Sequence, residues 1–175
     1  MADEILDPER ETRGLYSVAQ IHHILRVEFH RALRHHYPLS CFVLAVDGLE
    51  VYRDRQGYEA KERVLDGVVE LLREATRSSD HLGRTADDRL LAVVPHTDAA
   101  GARALAERLL RSARGRKFAR LPEPFALGLS IGTASTSDGE ETFHDALLAH
   151  AESALAEAVA AGGNRWTSGP RSHAG

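Results

Sequence analysis

The stretch GRTADDRLLAVVP, Gly83 to Pro95, sets a polar, sharply turning segment directly before a short apolar run, Leu90 to Val94. With Leu82 ahead of it, the pattern predicts a β-hairpin carrying Ala86, Asp87 and Asp88 at or near its tip. Two acidic side chains presented there suit a metal or phosphate site. They equally suit a solvated turn, since Asp is among the commonest turn formers. The rest of the chain has to decide between the two.

Upstream of the hairpin a helix is predicted from about Glu59 to Thr76, with Val64, Leu65, Val68, Leu71 and Leu72 as its apolar stripe. Before it lies a polar crossing, Glu50 to Gly57. Before that, Cys41 to Val46 (CFVLAV) is an unbroken apolar run of the length of a strand buried on both faces, ended by Asp47 and Gly48. Further out, Ser17 and Gln20 stand at capping-box spacing. The residues Val18, Ile21, Leu25, Phe29, Ala32 and Leu33 follow at helical spacing, and Tyr37 and Pro38 end that helix. The pairs His22/His23 and His35/His36 are adjacent rather than helix-facing neighbours. No Cys or carboxylate cluster stands at ligand spacing, so they are read as surface residues. Ile5 and Leu6 are expected to dock as a short helical lead-in.

Downstream, Thr97 or Asp98 caps a helix that turns Ala102, Leu105, Ala106, Leu109 and Leu110 inward. The basic segment Arg111 to Arg120 (RSARGRKFAR) has only Phe118 among its cations and is bounded by Pro122 and Pro124. It is expected to be a solvated loop rather than a phosphate-binding patch. Phe125 to Ala134 (FALGLSIGTA) predicts a strand. Thr142 opens an alanine-rich helix that Gly162 stops, and Asn164 to Thr167 supplies a final edge strand. The order strand, helix, hairpin, helix, strand, helix implies an α/β sandwich with a mixed central β-sheet flanked by helices.

The 175 residues make one domain, expected over residues 13–167 between a polar lead-in, 1–12, and a C-terminal tail, 168–175. A net charge of −4 and 43% apolar residues give neither a disorder signature nor a polyanion-binding footprint, so nucleic acid is not expected as a partner. No apolar stretch reaches membrane-spanning length and the acidic MADEILDPERE has no signal-peptide core, which predicts a cytoplasmic location without membrane insertion. The single cysteine, Cys41, opens an apolar run and is expected to be buried.

Taken in order, these stretches resemble the GGDEF domain, the diguanylate cyclase fold of bacterial cyclic di-GMP signalling, with its palm-type, nucleotidyl-cyclase-like sheet and its signature at a β-hairpin turn. GRTADDRLLAVVP stands where that family has GRxGGDEFxxxxP, and LGLSIGTAS where it has its SIG strand. AESALAEAVAAGGNR matches the ADxALYxAKxxGRNR helix and cap, and RGLYS the TGLxN opening. VDGLEVYRDRQGYEAKERVL follows the DxDxFKxxNDxxGHxxGDxxL stretch without a gap, so the resemblance covers about Thr12 to Trp166.

In active members, the resemblance implies, the first Asp of DxDxFK and the third residue of GGDEF hold two Mg²⁺ ions, on which phosphoryl transfer depends. Here those positions are Ala45 and Asp88. Asp47 shares a strand face with Ala45 but is displaced by about 6 to 7 Å, further than a Mg²⁺ bond of about 2 Å forgives. The signature glycines are Ala86 and Asp87, and its fourth, acidic position is Arg89. The guanine-reading Asn and Asp correspond to Arg53 and Glu62, of which only Glu62 retains an acceptor for a guanine edge. The basic phosphate-contacting positions are Glu50, Val159 and Gly163. The expectation is a degenerate, catalytically inactive member with no resident metal or cofactor.

A second site survives better. Many active members bind the inhibitory product at an RxxD motif six residues before the signature, and RSSD, Arg77 to Asp80, stands at that offset. An Arg fork can grip guanine or phosphate bidentately while an Asp accepts from guanine N–H groups. If the helix persists to Asp80, Arg77 and Asp80 lie one turn apart and face one ligand. Arg108, on the next helix, occupies the region from which some members supply a second arginine. RVLD (Arg63 to Asp66) and RTAD (Arg84 to Asp87) fit the same pattern at other offsets. The sequence therefore predicts a signalling domain that receives cyclic di-GMP at Arg77, Asp80 and Arg108. The alternative is a protein–protein interaction scaffold or homodimer that binds no nucleotide, pairing through its apolar-and-histidine N-terminal helix. Residual cyclase activity is the least favoured reading.

Overall fold

The computed structural model describes residues 15–136 and 143–169. The expected docking of Ile5 and Leu6, the helix start at Thr142 and most of the tail lie outside them. Helix α1 (Val18–His35) opens with the full capping box, Ser17 Oγ accepting from the Gln20 N–H and Gln20 Oε1 from the Ser17 N–H. It ends where His36 turns left-handed, at φ 56°. Strand β1 (Leu39–Val46) leads through Gly48, at φ 71°, into α2 (Leu49–Gln56) and then α3 (Tyr58–Ala75). The hairpin follows as β2 (His81–Arg84) and β3 (Leu90–Pro95). Helix α4 (Ala99–Ala113) is capped by Asp98, whose carboxylate accepts from the Gly101 N–H at 2.8 Å. Strand β4 (Leu129–Ser135), helix α5 (His144–Ala160) and strand β5 (Arg165–Ser168) complete the described chain.

The five strands form one mixed sheet in the order β2-β3-β1-β4-β5, antiparallel except for the β4–β5 pair. β1 is its centre, which is why CFVLAV is apolar throughout. Alternation along the strand sends Phe42 and Leu44 to one face, against Val68, Leu72, Ala106 and Leu109 of α3 and α4. Leu39, Cys41 and Val43 go to the other, against Ile21, Leu25 and Phe29 of α1 and Leu147, Ala151 and Leu155 of α5. Gly132 of β4 lets α5 press onto the sheet: a Cβ there would overlap the Ala151 carbonyl oxygen and the Leu155 nitrogen.

Several expectations need correction. The crossing from Glu50 to Gly57 is the helix α2, held down by buried Leu49 and Tyr52, whose hydroxyl donates to the Glu123 carbonyl at 2.8 Å. Val18 and Leu33 of α1 are exposed at 40% and 47%, while Glu28 is turned inward at 7% and accepts from Arg31 at 3.0 Å. The supposed loop from Arg111 begins as the last turn of α4, and its Arg116 is clamped to Glu74 of α3 at 3.1 and 3.3 Å. The SIG strand starts at Leu129 rather than Phe125, and the edge strand runs on to Ser168, into the segment expected to be tail. Among the described residues no helix is long and apolar enough to cross a membrane.

Candidate functional site

The hairpin closes as expected, with the Thr85 N–H donating to the Arg89 carbonyl at 2.9 Å. Asp88 sits at its tip in the left-handed region, at φ 57°, a conformation Asp tolerates better than most side chains. Its carboxylate does not face open solvent. Oδ2 accepts from Lys61 Nζ at 2.9 Å, and Oδ1 from Arg84 Nη2 at 2.6 Å. Arg84 also forks onto Glu62, Nη1 to Oε2 at 2.9 Å and Nη2 to Oε1 at 2.8 Å. Lys61 Nζ lies 3.4 Å from Glu62 Oε1 and 4.5 Å above the Tyr58 ring. Two cations from α3 and β2 thus meet two carboxylates from α3 and the turn, and the charges cancel.

The titration of these groups follows the geometry. The Arg84 hydrogen bonds hold the Glu62 carboxyl below its ordinary value, against the opposing effect of burial. For Asp88 burial works upward, but the bonds from Arg84 and Lys61 together outweigh it and leave the carboxyl lowered. Arg84 is in turn raised, chiefly by its bonds to Glu62.

The residues present do not fit a pair of divalent ions. Ala45, half-buried on β1 opposite Ser130 of β4, offers a methyl group where the resemblance implied a carboxylate. Both oxygens of Asp88 are taken by cationic donors. Asp47 is engaged elsewhere: Oδ1 accepts from Ser130 Oγ at 2.6 Å and Oδ2 from the Asn164 N–H at 2.7 Å, which ties the end of β1 to β4 and to the turn entering β5. Glu62, expected to keep an acceptor for guanine, has both oxygens engaged by Arg84, with Lys61 at 3.4 Å. Arg53 of α2 pairs with Asp54 at 3.1 Å, while Glu50, Arg89 and Val159 are exposed. Among the described residues no group of three or more His, Cys, Asp or Glu is placed to hold a metal ion.

The second site assembles only in part. Helix α3 stops at Ala75: Thr76 is extended, at φ −103° and ψ 163°, and its hydroxyl donates back to the Leu72 carbonyl at 2.8 Å. Arg77 to Asp80 form a tight turn, so the expectation that the helix persists to Asp80 is overturned. The Asp80 N–H donates to the Arg77 carbonyl at 3.0 Å and Asp80 Oδ2 accepts from the Arg77 N–H at 2.8 Å. An Asp competing for a local backbone N–H in this way is a common helix stop. Asp80 Oδ1 is shielded from solvent without a hydrogen-bond donor. Arg108 reaches the same place from α4 and donates from Nη2 to the Ala75 carbonyl at 2.6 Å, at the negative end of the α3 dipole. The Arg77 backbone, the Asp80 carboxylate and the Arg108 guanidinium therefore gather at the end of α3, with Asp80 and Arg108 bonded to the backbone there and Arg77 exposed. The decoys differ: Arg63 donates to the Arg120 carbonyl at 2.7 Å, and Arg84 belongs to the hairpin cluster.

Comparison with known proteins bears on the whole chain. The family model described as "Diguanylate cyclase, GGDEF domain" matches residues 12–165. Diguanylate cyclase A of Treponema denticola is 26% identical over 129 residues, covering 74% of this chain and 34% of that protein. Diguanylate cyclase DgcP of Pseudomonas aeruginosa is 28% identical over 152 residues, covering 87% of this chain and 22% of that protein. The chain thus spans about a third and about a fifth of these two relatives' lengths. The crystal structure of the GGDEF domain of DgcB from Caulobacter crescentus in complex with c-di-GMP superposes with a TM-score of 0.80 at 19% identity, over 88% of this chain and 91% of that one. It shares the mixed sheet flanked by helices.

Proposed function

Because this chain belongs to the GGDEF family, whose model spans residues 12–165, we propose that it is a catalytically silent member of that family that works in signalling as a receptor for cyclic di-GMP. The observation that carries the loss of catalysis is the capture of Asp88 by Lys61 and Arg84 beside a strand that presents Ala45. Phosphoryl transfer is positioning and charge stabilisation, and the groups that would position metal and triphosphate are absent or already bonded. The residues left to this chain bind and hold: they do not move a proton or neutralise a developing charge. Chromatography of GTP and Mg²⁺ incubated with pure protein is expected to give no cyclic di-GMP above background. Product that disappears in Asp88→Ala would overturn this reading.

The receptor role is supported by the Asp80 carboxylate and the Arg108 guanidinium gathered at the end of α3, where Arg77 is exposed. Cyclic di-GMP is a compact dianion with two guanines, so it asks for guanidinium forks and a carboxylate acceptor on a rigid surface. The DgcB GGDEF domain was crystallised with that same nucleotide. Calorimetric titration with cyclic di-GMP and GTP in parallel is expected to give heat with the first alone. A second reading, a scaffold that pairs with another protein, is favoured by Val18, Val27 and Leu33, apolar residues of α1 exposed at 40%, 38% and 47%. Absence of heat with either nucleotide would leave the scaffold in possession.

A further inference from the structure

Lys61 is 5% exposed, a burial that lysine tolerates only when its charge is paired. Its stem lies on the inward side of α3, three residues before Val64 and seven before Val68, so the helix itself aims the side chain beneath the hairpin. The ammonium has three donors to place. Asp88 Oδ2 takes one at 2.9 Å, Glu62 Oε1 lies at 3.4 Å, and the face of Tyr58 lies 4.5 Å away, within the range of cation–π attraction. This is a built cation site, and the chain fills it with its own side chain.

We infer that the Lys61 ammonium is the resident cation of the signature hairpin: it occupies the oxygen of Asp88 that a divalent ion would need and holds the turn in shape without one. A Mg²⁺ ion requires oxygens at about 2.0–2.1 Å in a near-octahedral shell. To reach Asp88 it would have to displace the Lys61 and Arg84 hydrogen bonds and then sit beside two positive charges with no water between them. The four groups are neutral together, so no net negative charge attracts the ion. Removing the ammonium changes that balance. It leaves two carboxylates facing one guanidinium, an uncompensated buried charge that a divalent ion relieves. Divalent-metal exclusion is thus assigned to one side chain. The inference rests on the same hairpin as the proposed loss of catalysis, but its test reads metal binding rather than turnover.

The experiment is Mn²⁺ titration of ¹⁵N-labelled protein, read as paramagnetic broadening of the backbone amides of residues 85–89. Wild type is expected to show no broadening confined to the hairpin at millimolar Mn²⁺. Lys61→Met fills the same space without the charge. It is expected to acquire a site centred on Asp88 and Glu62, binding at least about tenfold tighter than wild type, and to lose it when Asp88→Asn is added. Lys61→Gln serves as a second neutral variant if the methionine protein folds poorly. Equal responses of the wild type and the neutral variants, bound or unbound, would overturn the inference. So would hairpin-selective broadening in the wild type, whatever the variants do. Wild-type Mn²⁺ binding without turnover would sink this inference alone, whereas turnover on GTP would sink it together with the proposed loss of catalysis.

Discussion

An aspartate at a hairpin tip is held by whichever cation reaches it first, and Asp88 has two within hydrogen-bond distance. Restoring its missing partner is therefore not enough. Ala45→Asp is expected to leave product at background, because the new carboxylate would face a neutralised cluster while Arg53, Glu50 and Val159 still supply no guanine or phosphate contact. Turnover by that single variant in a chromatographic assay would mean the other departures have been overvalued. Asp47 has the opposite standing: its residue type fits the family pattern and its work here is structural. Asp47→Ala strands the Ser130 hydroxyl and the Asn164 N–H, each at a strand end. Ser130 is fully buried and Asn164 exposed, so the expected loss is about 1–3 kcal/mol for the Ser130 hydroxyl left unpaired, visible as a lower denaturation midpoint with the m-value unchanged. An unaltered midpoint would show that water replaces the carboxylate at no cost.

At the scale of elements the hairpin is a pH-sensitive part of the fold. Glu62 and Asp88 are both lowered in the folded state, so they contribute stability that is full above their unfolded values and lost as pH falls through the folded ones. Amide protection factors in residues 85–89, corrected for the intrinsic pH dependence of exchange, are expected to hold above about pH 5 and to fall below about pH 4, while those of β1 and β4 hold. Uniform loss across the sheet would assign the acid sensitivity elsewhere. The β4–α5 contact predicts a different response: Gly132→Ala must push α5 outward and is expected to cost about 1–3 kcal/mol, read as a lower melting temperature. Much of this was legible in the sequence. Period and caps placed α1, β1, the hairpin, α4 and β5, because each carries a full apolar stripe or a turn residue with a mechanism. Helix α2 was missed because eight residues with only Leu49 and Tyr52 buried leave no period to read. Lys61 and Glu28 stand on apolar stripes, which was the available signal, but the sequence does not say which partners would let a charge go inside. The turn at Arg77 to Asp80 was decided by Asp80 choosing a backbone N–H, a choice that spacing alone does not fix.

For the molecule as a whole, the hairpin cluster, which draws Lys61 and Glu62 from the start of α3, and the end of α3 are separate regions. The hairpin cluster is closed on itself, whereas Arg77 and Arg108 are exposed and Arg108 is held by a single carbonyl. A dianion arriving there replaces the neutral carbonyl acceptor of Arg108 with charged ones, and hydrogen bonds between charged groups are worth about 1.5 to 3 kcal/mol each. Arg77→Ala is accordingly expected to weaken cyclic di-GMP at least about tenfold. Arg63→Ala, whose guanidinium serves the Arg120 carbonyl and pairs with Glu59 at 3.9 Å, is expected to change affinity little. Arg84→Ala does not serve as such a control, since it strips Asp88 and Glu62 of their fork, and it belongs with the hairpin variants. Because Arg77 and Arg108 both face solvent at one edge of α3 and α4, a ligand with two guanines can engage a second copy of the chain through its outer half. Sedimentation velocity with saturating cyclic di-GMP is expected to show a dimer in the wild type and monomer in Arg77→Ala. Binding that persists in Arg77→Ala with undiminished heat would place the nucleotide elsewhere on the fold, and a dimer that forms without ligand would point instead to the exposed apolar side of α1.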